Sequence, residues 1–402
     1  MSPDGSSVIS SAVSRRTRAA LLLVGSLPVL AGAIIAPALP AIREQFAAID
    51  DVDLRVRMLI SLPSVVIALT APLSGFLADT LGRRPLLYGA LFLFVIGGTT
   101  GLYVDELSLL LAGRLLLGAG MGGIMTASTA LVADLFSGAE RQRFLGFQSA
   151  FMSLSGVVFL LAGGAAAGVT WRGPFLAYLA PVLLFPLLVG ALPAPQASTA
   201  AQQKGAVQPT PVLFLGALFL LAHLGMNLFY LLPVQLPFLL REGLSVEPFV
   251  AGLMVAGSTL SGAIAALSYG RLRSRLPSSA LLASVFLIAG PGLMVVGLAP
   301  SLPVVFAGTF LAGLGFGLQM PVLTTWIAEV TPVDKRGRVL GGFAAAVFFG
   351  QFISPLVAAP VIERVGLRGS TGLFVCAGVF SLGMALVAWL LTTFLERRSA
   401  GL

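Results

Sequence analysis

Three polar side chains share one face of an otherwise apolar segment between residues 211 and 239. His223, Asn227 and Tyr230 stand at positions i, i+4 and i+7, the spacing that places side chains on one side of an α-helix. An ionisable group inside such a segment indicates a functional site, and histidine gains or loses a proton near neutral pH. The spacing therefore predicts a polar face that points at a cavity or at another helix, and we favour a functional role for it.

One cation and three amides also lie inside apolar segments. Arg114 interrupts the run from 107 to 132. Burying its charge in hydrocarbon costs about 2.5 kcal/mol or more, so we expect it to face a wet cavity or a partner side chain. A glutamine in the same surroundings bonds either a solute or a neighbouring helix. The candidate cavity residues are Arg114, His223, Asn227, Tyr230, Gln235, Gln319 and Gln351.

Acidic side chains are missing from the middle of these segments, since Asp134 and Glu329 stand at segment ends. A cavity that holds a cation, a histidine and amides suits neutral or anionic apolar solutes better than lipophilic cations. By elimination, His223 would carry the proton if solute movement is coupled to a proton gradient. Apart from that gradient we expect no cofactor, and a single cysteine and a single histidine argue against a metal site built from them.

The composition indicates that these segments lie in a membrane. Of 402 residues, 57% are hydrophobic and 10% are charged, whereas soluble domains carry roughly 25% charged residues. Mean hydropathy is +1.00. Only helices or closed barrels span hydrocarbon, and long continuous apolar runs indicate helices. The sequence predicts an all-α membrane protein with twelve transmembrane helices, near residues 19–42, 58–78, 85–104, 107–132, 144–168, 174–192, 211–239, 249–269, 279–299, 303–328, 339–362 and 370–394.

Basic residues indicate how the helices are oriented. The net charge of +8 is distributed in short clusters between apolar runs, which is typical of topology signals and argues against a nucleic-acid partner. With both termini in the cytoplasm, the inner segments hold sixteen Lys and Arg residues and the outer segments hold seven, Arg57 among them. We therefore predict a multi-pass protein of a bacterial inner membrane, embedded in the lipid bilayer, with both termini cytoplasmic.

An internal repeat divides the chain into two halves. The matched residues are related by a constant offset of 195, and the pairs are Gly118 with Gly313, Gly120 with Gly315, Gly122 with Gly317, Asp134 with Glu329, Arg141 with Arg336 and Arg143 with Arg338. Both copies have the same orientation, which places a cavity between them. We predict a six-helix bundle at 1–192, a polar cytoplasmic linker at 193–210 and a second six-helix bundle at 211–402.

Two motifs resemble those of the major facilitator superfamily. The residues Gly75, Leu77, Ala78, Asp79, Gly82, Arg83 and Arg84 match every position of the family's G-x-L-A-D-x-x-G-R-R loop between the second and third helices. The run from Arg114 to Gly120 is similar to its R-x-x-x-G-x-G pattern in the fourth helix. In the second half Ser274 replaces the acid of the loop. The resemblance covers nearly the whole chain and implies two bundles that rock around a central cavity, in a protein that is usually a monomer.

The resemblance also implies a cytoplasmic gate. In the family the loop latches the cytoplasmic side and releases when the bundles rock, which is the role implied for Asp79, Arg83 and Arg84, with Arg141 as a partner. Arginines that only anchor the topology would satisfy the same pattern, so this alternative stays open. The expected gate residues are Gly75, Asp79, Gly82, Arg83, Arg84, Asp134, Arg141, Arg143, Glu329, Arg336 and Arg338.

Sequence and resemblance together predict a secondary transporter that works by alternating access and exports a hydrophobic or amphipathic small molecule. Uptake or release of an organic anion or a sugar-like metabolite is the alternative within this class, and a non-transporting receptor or scaffold is the alternative outside it. A membrane enzyme is disfavoured, because the sequence shows no nucleotide loop, metal triad or nucleophile–base pair. The fifth helix has the glycines of the drug-antiporter motif, between Ser155 and Gly168, but not its proline, which weakens an expectation of antiport.

Overall fold

The computed structural model describes residues 13–191, 212–332, 335–365 and 370–399. Every regular element in these ranges is helical. The α-helices are α1 (Arg15–Ala33), α2 (Leu39–Gln45), α3 (Val52–Thr80), α4 (Arg83–Thr99), α5 (Leu107–Leu135), α6 (Gly138–Val169), α7 (Ala180–Ala191), α8 (Val212–Phe229), α9 (Leu231–Leu244), α10 (Pro248–Arg273), α11 (Ser278–Leu298), α12 (Leu302–Gly317), α13 (Gln319–Val330), α14 (Arg336–Val365) and α15 (Ser370–Ser399). Short 3₁₀ turns occupy Ala36–Ala38, Thr100–Leu102 and Gly173–Leu179.

Within the described ranges, 12 segments are long and apolar enough to cross a membrane. This finding confirms the predicted all-α class with twelve transmembrane helices. Three of the predicted spans are not single helices, because 19–42 holds α1 and α2, 211–239 holds α8 and α9, and 303–328 holds α12 and α13. The sixth span begins as the 3₁₀ turn Gly173–Leu179 before it becomes α7.

Local chemistry explains where these spans break. Proline has no N–H to donate and clashes with the preceding helical turn. Pro37 lies in the 3₁₀ turn that follows α1, and Pro233 stands three residues after the break at Tyr230. In the tenth span α12 ends at Gly317, where a Cβ would lie 2.2 Å from the carbonyl oxygen of Gly262 on α10. The breaks after α1 and α8 are related by the repeat to within one residue, so both bundles bend at the same height.

The two halves repeat in their packing as well as in their sequence. The helix α5 covers Leu107–Leu135, and α12 and α13 together cover Leu302–Val330, which are the same limits shifted by the offset of the repeat. A Cβ on Gly118 would lie 2.7 Å from the Pro63 carbonyl oxygen, and a Cβ on Gly313 would lie 2.2 Å from the Ser258 carbonyl oxygen. Small residues allow transmembrane backbones to approach this closely. Equivalent glycines therefore fix equivalent helix contacts in each bundle.

The bundles α1–α7 and α8–α15 meet along two pairs of helices. The helix α6 packs against α10 and α3 packs against α14, while α2 and α9 meet at one end. We call the end that carries the turn at Arg83 and Arg84 the motif end, and the end that carries Glu44 and Arg241 the far end. The predicted linker at 193–210 lies outside the described residues, so the limits at 192 and 211 remain predictions.

Candidate solute site between the bundles

A cavity of about 310 Å³ lies between the two bundles. Its walls are the last turns of α1 and the break between α8 and α9, together with α3, α5, α6, α10 and α14. The larger apolar side chains that line it are Ile60, Ile67, Met121, Met125, Leu160, Phe229 and Phe348. Because both bundles supply walls, any rotation of one bundle against the other changes the size and the opening of this central cavity.

A few hydroxyl and amide groups provide the polar part of the lining. Ser64 Oγ on α3 donates a hydrogen bond to Gln351 Oε1 on α14 across the interface, at 2.8 Å. The Tyr230 hydroxyl lies against α1, since a Cβ on Gly32 would be 3.8 Å from it. Ser258 contributes a hydroxyl from α10. Among the described residues no Asp, Glu, Lys, Arg or His lines the cavity, so a solute would be held by shape and by uncharged hydrogen bonds.

Tyr230 and Gln351 are the two predicted cavity residues that the structure brings to this cavity. His223 and Asn227 instead line a second cavity of about 300 Å³ inside the C-terminal bundle, between α8, α14 and α15. The helix α8 ends at Phe229, so Tyr230 belongs to the break and leaves the face that His223 and Asn227 share. His223 Nδ1 lies 3.3 Å from the carbonyl oxygen of Ala346.

Arg114 is fully buried inside the N-terminal bundle and does not line the central cavity. One of its terminal nitrogens donates to the Tyr178 hydroxyl at 3.0 Å, and its guanidinium carbon lies 5.0 Å from the ring centre of Phe175 and 5.1 Å from that of Tyr178. The Tyr178 hydroxyl in turn donates to the Ala31 carbonyl oxygen at 2.8 Å. Since Ala31 lines the cavity, Arg114 reaches the cavity wall through one tyrosine.

The two remaining glutamines hold helices together. Gln319 Nε2 donates to the Ala222 carbonyl oxygen at 3.0 Å, which ties α13 to α8 within the C-terminal bundle. Gln235 is fully buried at the far end, where its Oε1 accepts a hydrogen bond from Arg57 Nε of the other bundle at 2.8 Å. Both glutamines therefore have the interhelical role that competes with solute binding for a lone amide.

Direct contacts close the far end between the bundles. The Arg57 guanidinium carbon lies 4.3 Å from the ring centre of Phe238, so this arginine contacts the C-terminal bundle through a cation–π interaction as well as through Gln235. On the exposed rim Arg241 Nε lies 3.0 Å from Glu44 Oε1. These contacts form a far-end latch, which we define as Arg57, Gln235 and Phe238 with the rim pair Glu44–Arg241.

The helices α6 and α10, which pack together at the far end, separate at the motif end. On α6, Gly146 and Gly164 are 18 residues apart, which is about five turns, so they share one face. A Cβ on Gly164 would lie 2.7 Å from the Pro248 carbonyl oxygen across the interface, whereas one on Gly146 would meet nothing within 4 Å. Gly252 and Gly270 on α10 show the same contrast. The interface is therefore tight at the far end and open at the motif end.

The predicted gate residues lie at the motif end, and the ion pairs they form stay within one bundle. Arg83 Nε lies 3.1 Å from Asp134 Oδ2, and the equivalent acid of the other bundle, Glu329, lies 3.4 Å from Arg273. Asp79 and Arg141 are exposed, and the structure does not bring them together as partners. Arg143, Arg336 and Arg338 are exposed at the same end. Among the residues that the structure describes, no ion pair therefore joins the two bundles at the motif end in this parted conformation.

The turn at Gly82 has a backbone conformation that excludes other residues. Its φ is 93° and its ψ is 160°, a region that is essentially restricted to glycine. We expect Gly82→Ala to destabilise the protein by about 1–3 kcal/mol, through strain in the turn before α4. Thermal unfolding of the purified protein in detergent measures this effect. Gly75→Ala is the matched control, because Gly75 lies within α3 with nothing within 4 Å of its Cβ position, and equal losses for both variants would contradict the prediction.

Sequence reasoning missed Arg57, Ser64 and Ser258. Arg57 was assigned to the outer segments as a topology charge, although it stands four residues after Asp53, which lies 3.5 Å from it on the same helix. That spacing indicates a helix that already begins before Arg57 and so could have shown that the arginine is partly inside the bundle. The serines carry no such signal, because a serine in an apolar helix most often bonds its own backbone, as Ser258 does with Val255.

Comparisons with known proteins agree with this architecture. The profile of the Major Facilitator Superfamily matches residues 21–245 and again 217–401. The class C tetracycline resistance protein of Escherichia coli is 30% identical over 144 residues, which is 36% of this chain and 36% of that protein. The MFS-type efflux transporter phmH of Phaeosphaeria nodorum is 29% identical over 171 residues, which is 42% of this chain and 27% of that protein. The alignments therefore span well under half the length of these curated relatives.

A solved structure extends the likeness to the whole fold. The crystal structure of a D-xylose-proton symporter superposes with a TM-score of 0.74 over 93% of this chain and 97% of that chain, at 17% sequence identity. At that identity the superposition speaks for the fold only. The family profile, however, matches twice, and its two matches together cover residues 21–401. The chain belongs to the Major Facilitator Superfamily.

Proposed function

We propose that this chain is a secondary transporter that moves an uncharged hydrophobic or amphipathic small molecule by alternating access. The observation that carries the proposal is the central cavity, whose walls come from both bundles and which lies between a closed far end and a parted motif end. A solute that enters from the motif end would be released at the far end once the bundles rock the other way.

The lining of the cavity supports an uncharged substrate. A charged solute would lose its hydration without meeting a counter-charge, which is strongly unfavourable in an apolar site. The organic-anion alternative relied on Arg114 and His223 as the cationic groups, and neither lines the central cavity. The sugar-like alternative needs many hydrogen-bonding partners, whereas the polar side chains here are few, including Ser64, Tyr230 and Gln351.

The distribution of basic residues supports the proposed orientation in the membrane, and the relatives support the proposed direction of transport. We propose that the motif end faces the cytoplasm of a bacterial cell, with both termini on that side, because the basic clusters favour this orientation. The open end then faces the compartment from which an exporter takes its substrate. Relatives named as a tetracycline resistance protein and an efflux transporter support export. Since one chain supplies both walls of the cavity, we propose a functional monomer.

Counterflow in proteoliposomes tests the proposal with a panel of neutral amphipathic compounds, organic anions, sugars and lipophilic cations. We expect exchange of at least one neutral compound, and only slow exchange of the lipophilic cations. Exchange confined to cations or to anions would contradict the assignment of the substrate class. Binding of a neutral compound without any exchange would favour the receptor or scaffold alternative.

A carboxylate placed in the central cavity is expected to reverse this selectivity. Gln351→Glu puts an acid beside Ser64, and about 1.4 kcal/mol of added attraction would raise lipophilic-cation exchange about ten-fold. The matched control is Gln142→Glu, which adds the same charge on the exposed surface of α6. The same counterflow assay measures both variants. If the Gln351 and Gln142 variants behave alike, the cavity does not set the charge preference.

Proton coupling through His223 remains part of the proposal as a hypothesis. His223 lies on α8, the helix that ends at the break beside the central cavity, and its Nδ1 lies 3.3 Å from the Ala346 carbonyl oxygen on α14. The charge on His223 would therefore act by shifting α8 rather than by touching the substrate. In the counterflow assay with a pH gradient, His223→Gln is expected to remove the stimulation by the gradient, and full stimulation of this variant would exclude the hypothesis.

A further inference from the structure

The second cavity is separate from the central one. It lies between α8, α14 and α15, has a volume of about 300 Å³, and shares no lining residue with the central cavity. We propose that it is a binding site for an uncharged molecule dissolved in the membrane, with an apolar body and one hydrogen-bonding group such as a hydroxyl or a carbonyl.

The depth of this cavity determines from where a ligand can come. His223 stands 11 residues after the start of α8, which is roughly 16 Å along the helix. Phe380 stands 10 residues after the start of α15, which enters from the opposite end, or roughly 15 Å. The hydrocarbon core of a bilayer is about 30 Å thick, so the cavity lies near its middle. Phospholipid head groups and bulk water do not reach this depth, and the ligand must arrive through the hydrocarbon.

The rim of the cavity is open on the outer surface of the bundle. Val357 and Phe380 each expose 49% of their surface, and Cys376 is exposed as well. At mid-membrane depth these exposed side chains face lipid. A molecule that moves laterally in the bilayer can therefore enter without crossing either membrane surface.

Polar groups on the inner wall give the site its chemistry. Ser354 Oγ donates to the backbone carbonyl of Asn227 at 2.8 Å, and the side-chain amide of Asn227 has no hydrogen-bond partner among the described residues. His223 lines the same wall with its Nδ1 near Ala346. An amide without a partner is unfavourable in hydrocarbon. A ligand hydroxyl or carbonyl would satisfy it, while the apolar body would contact Leu373 and Ala377.

The repeat explains why the cavity exists in this bundle. In the N-terminal bundle Tyr178 reaches α1, and its hydroxyl donates to the Ala31 carbonyl oxygen at 2.8 Å. Leu373 stands 195 residues after Tyr178. It lacks both the ring that would fill the space toward α8 and the hydroxyl that would bond its backbone. The corner that one bundle fills with its own side chain is left for a ligand in the other.

The single cysteine of the chain offers a direct test. A small trifluoromethyl label on Cys376 of the full-length protein in lipid nanodiscs reports occupancy through its ¹⁹F chemical shift. The probes are dodecanol and dodecane, which differ by one hydroxyl. We expect a saturable change in the ¹⁹F chemical shift with dodecanol. Because dodecanol adds one hydrogen bond, its apparent affinity is expected to be about five-fold higher than that of dodecane.

Three variants separate the site from general partitioning into lipid. Asn227→Leu is expected to weaken the binding of dodecanol about five-fold and to leave the binding of dodecane unchanged, because it removes only the amide. Ala377→Phe fills the cavity and is expected to weaken the binding of both probes at least about ten-fold, which corresponds to ~1.4 kcal/mol. Leu386→Phe is the matched control, since Leu386 is exposed on α15 and does not line the cavity. Equal, non-saturating shifts for both probes in every variant would overturn the proposal.

Discussion

Replacing Arg57 with methionine is expected to raise the ratio of molecules open at the far end to molecules closed there by about thirty-fold. This change corresponds to roughly 2 kcal/mol. Arg57 is buried at the bundle interface, where it donates to Gln235 at 2.8 Å and lies 4.3 Å from the ring centre of Phe238. A hydrogen bond from a charged group contributes about 1.5–3 kcal/mol and a cation–π contact about 0.5–2 kcal/mol. Hydration of the guanidinium in the open state offsets part of this sum, and methionine keeps the apolar part of the side chain.

Distance measurements between spin labels at the far end detect this shift. Ala48 and Glu242 are exposed there on opposite bundles, and a Cys376→Ser background leaves only the introduced thiols. Wild-type protein is expected to show the short distance of the closed far end. The Arg57→Met variant is expected to show a second, longer distance as its main population.

The rim pair supplies the matched control for the far-end latch. Arg241 and Glu44 are also in contact across the interface, but their side chains are 45% and 53% exposed. Exposed ion pairs contribute only about 0–1 kcal/mol. Arg241→Gln is therefore expected to change the ratio of the long-distance to the short-distance population less than about five-fold. If the two variants have equal effects, burial does not decide which contact holds the far end closed.

Replacing Arg114 with methionine is expected to reduce transport more than about ten-fold without loss of thermal stability. A cation at the centre of a span costs about 2.5–3.5 kcal/mol. Arg114 recovers a comparable amount from one hydrogen bond to Tyr178 and from the faces of two aromatic rings. Two of its nitrogens have no hydrogen-bond partner among the described residues. Stability alone thus gives little reason for an arginine here.

Transport should depend on Arg114 because of what it holds in place. Through Tyr178 its charge fixes a contact to Ala31, in the last turns of α1 that line the central cavity. Methionine fills similar space but frees this tyrosine, so α1 can move independently of α5. Counterflow rates and thermal unfolding of Arg114→Met measure the two properties separately. Thr309→Val, at the equivalent position of the other bundle, controls for packing, and an Arg114 variant that unfolds early while transporting normally would show a purely structural role.

Much of the fold could be predicted from patterns along the sequence, namely the length of each apolar segment and the offset of the repeat. Apolar length predicted the twelve spans, because hydrocarbon thickness fixes how many residues a helix needs. The offset of the repeat predicted which glycines would be equivalent, and Gly118 and Gly313 indeed contact equivalent residues. The predicted spans were continuous segments and did not mark the breaks within three of them. The cause of these breaks is partly local, as at Pro37, and partly the close approach of another helix, as at Gly317 and Gly262.

The candidate site was less accessible to sequence reasoning. Helical spacing placed His223, Asn227 and Tyr230 on one face, yet the end of α8 at Phe229 sends Tyr230 to the central cavity and leaves the other two in the second cavity. Arg57 was counted as a charge outside the membrane, and only its contacts with Gln235 show that it belongs to the bundle interface.

The sequence by itself determined that this protein is a pair of related six-helix bundles in a membrane, with a family loop at one end. These properties depend on composition, length and periodicity, which act along the chain. Only the tertiary structure decided which polar side chains face the central cavity, which face lipid, and which end of the interface is closed. Those outcomes depend on the rotation of each helix about its axis and on the neighbour it meets, and residues such as Arg57 and Gln235 that meet are 178 positions apart.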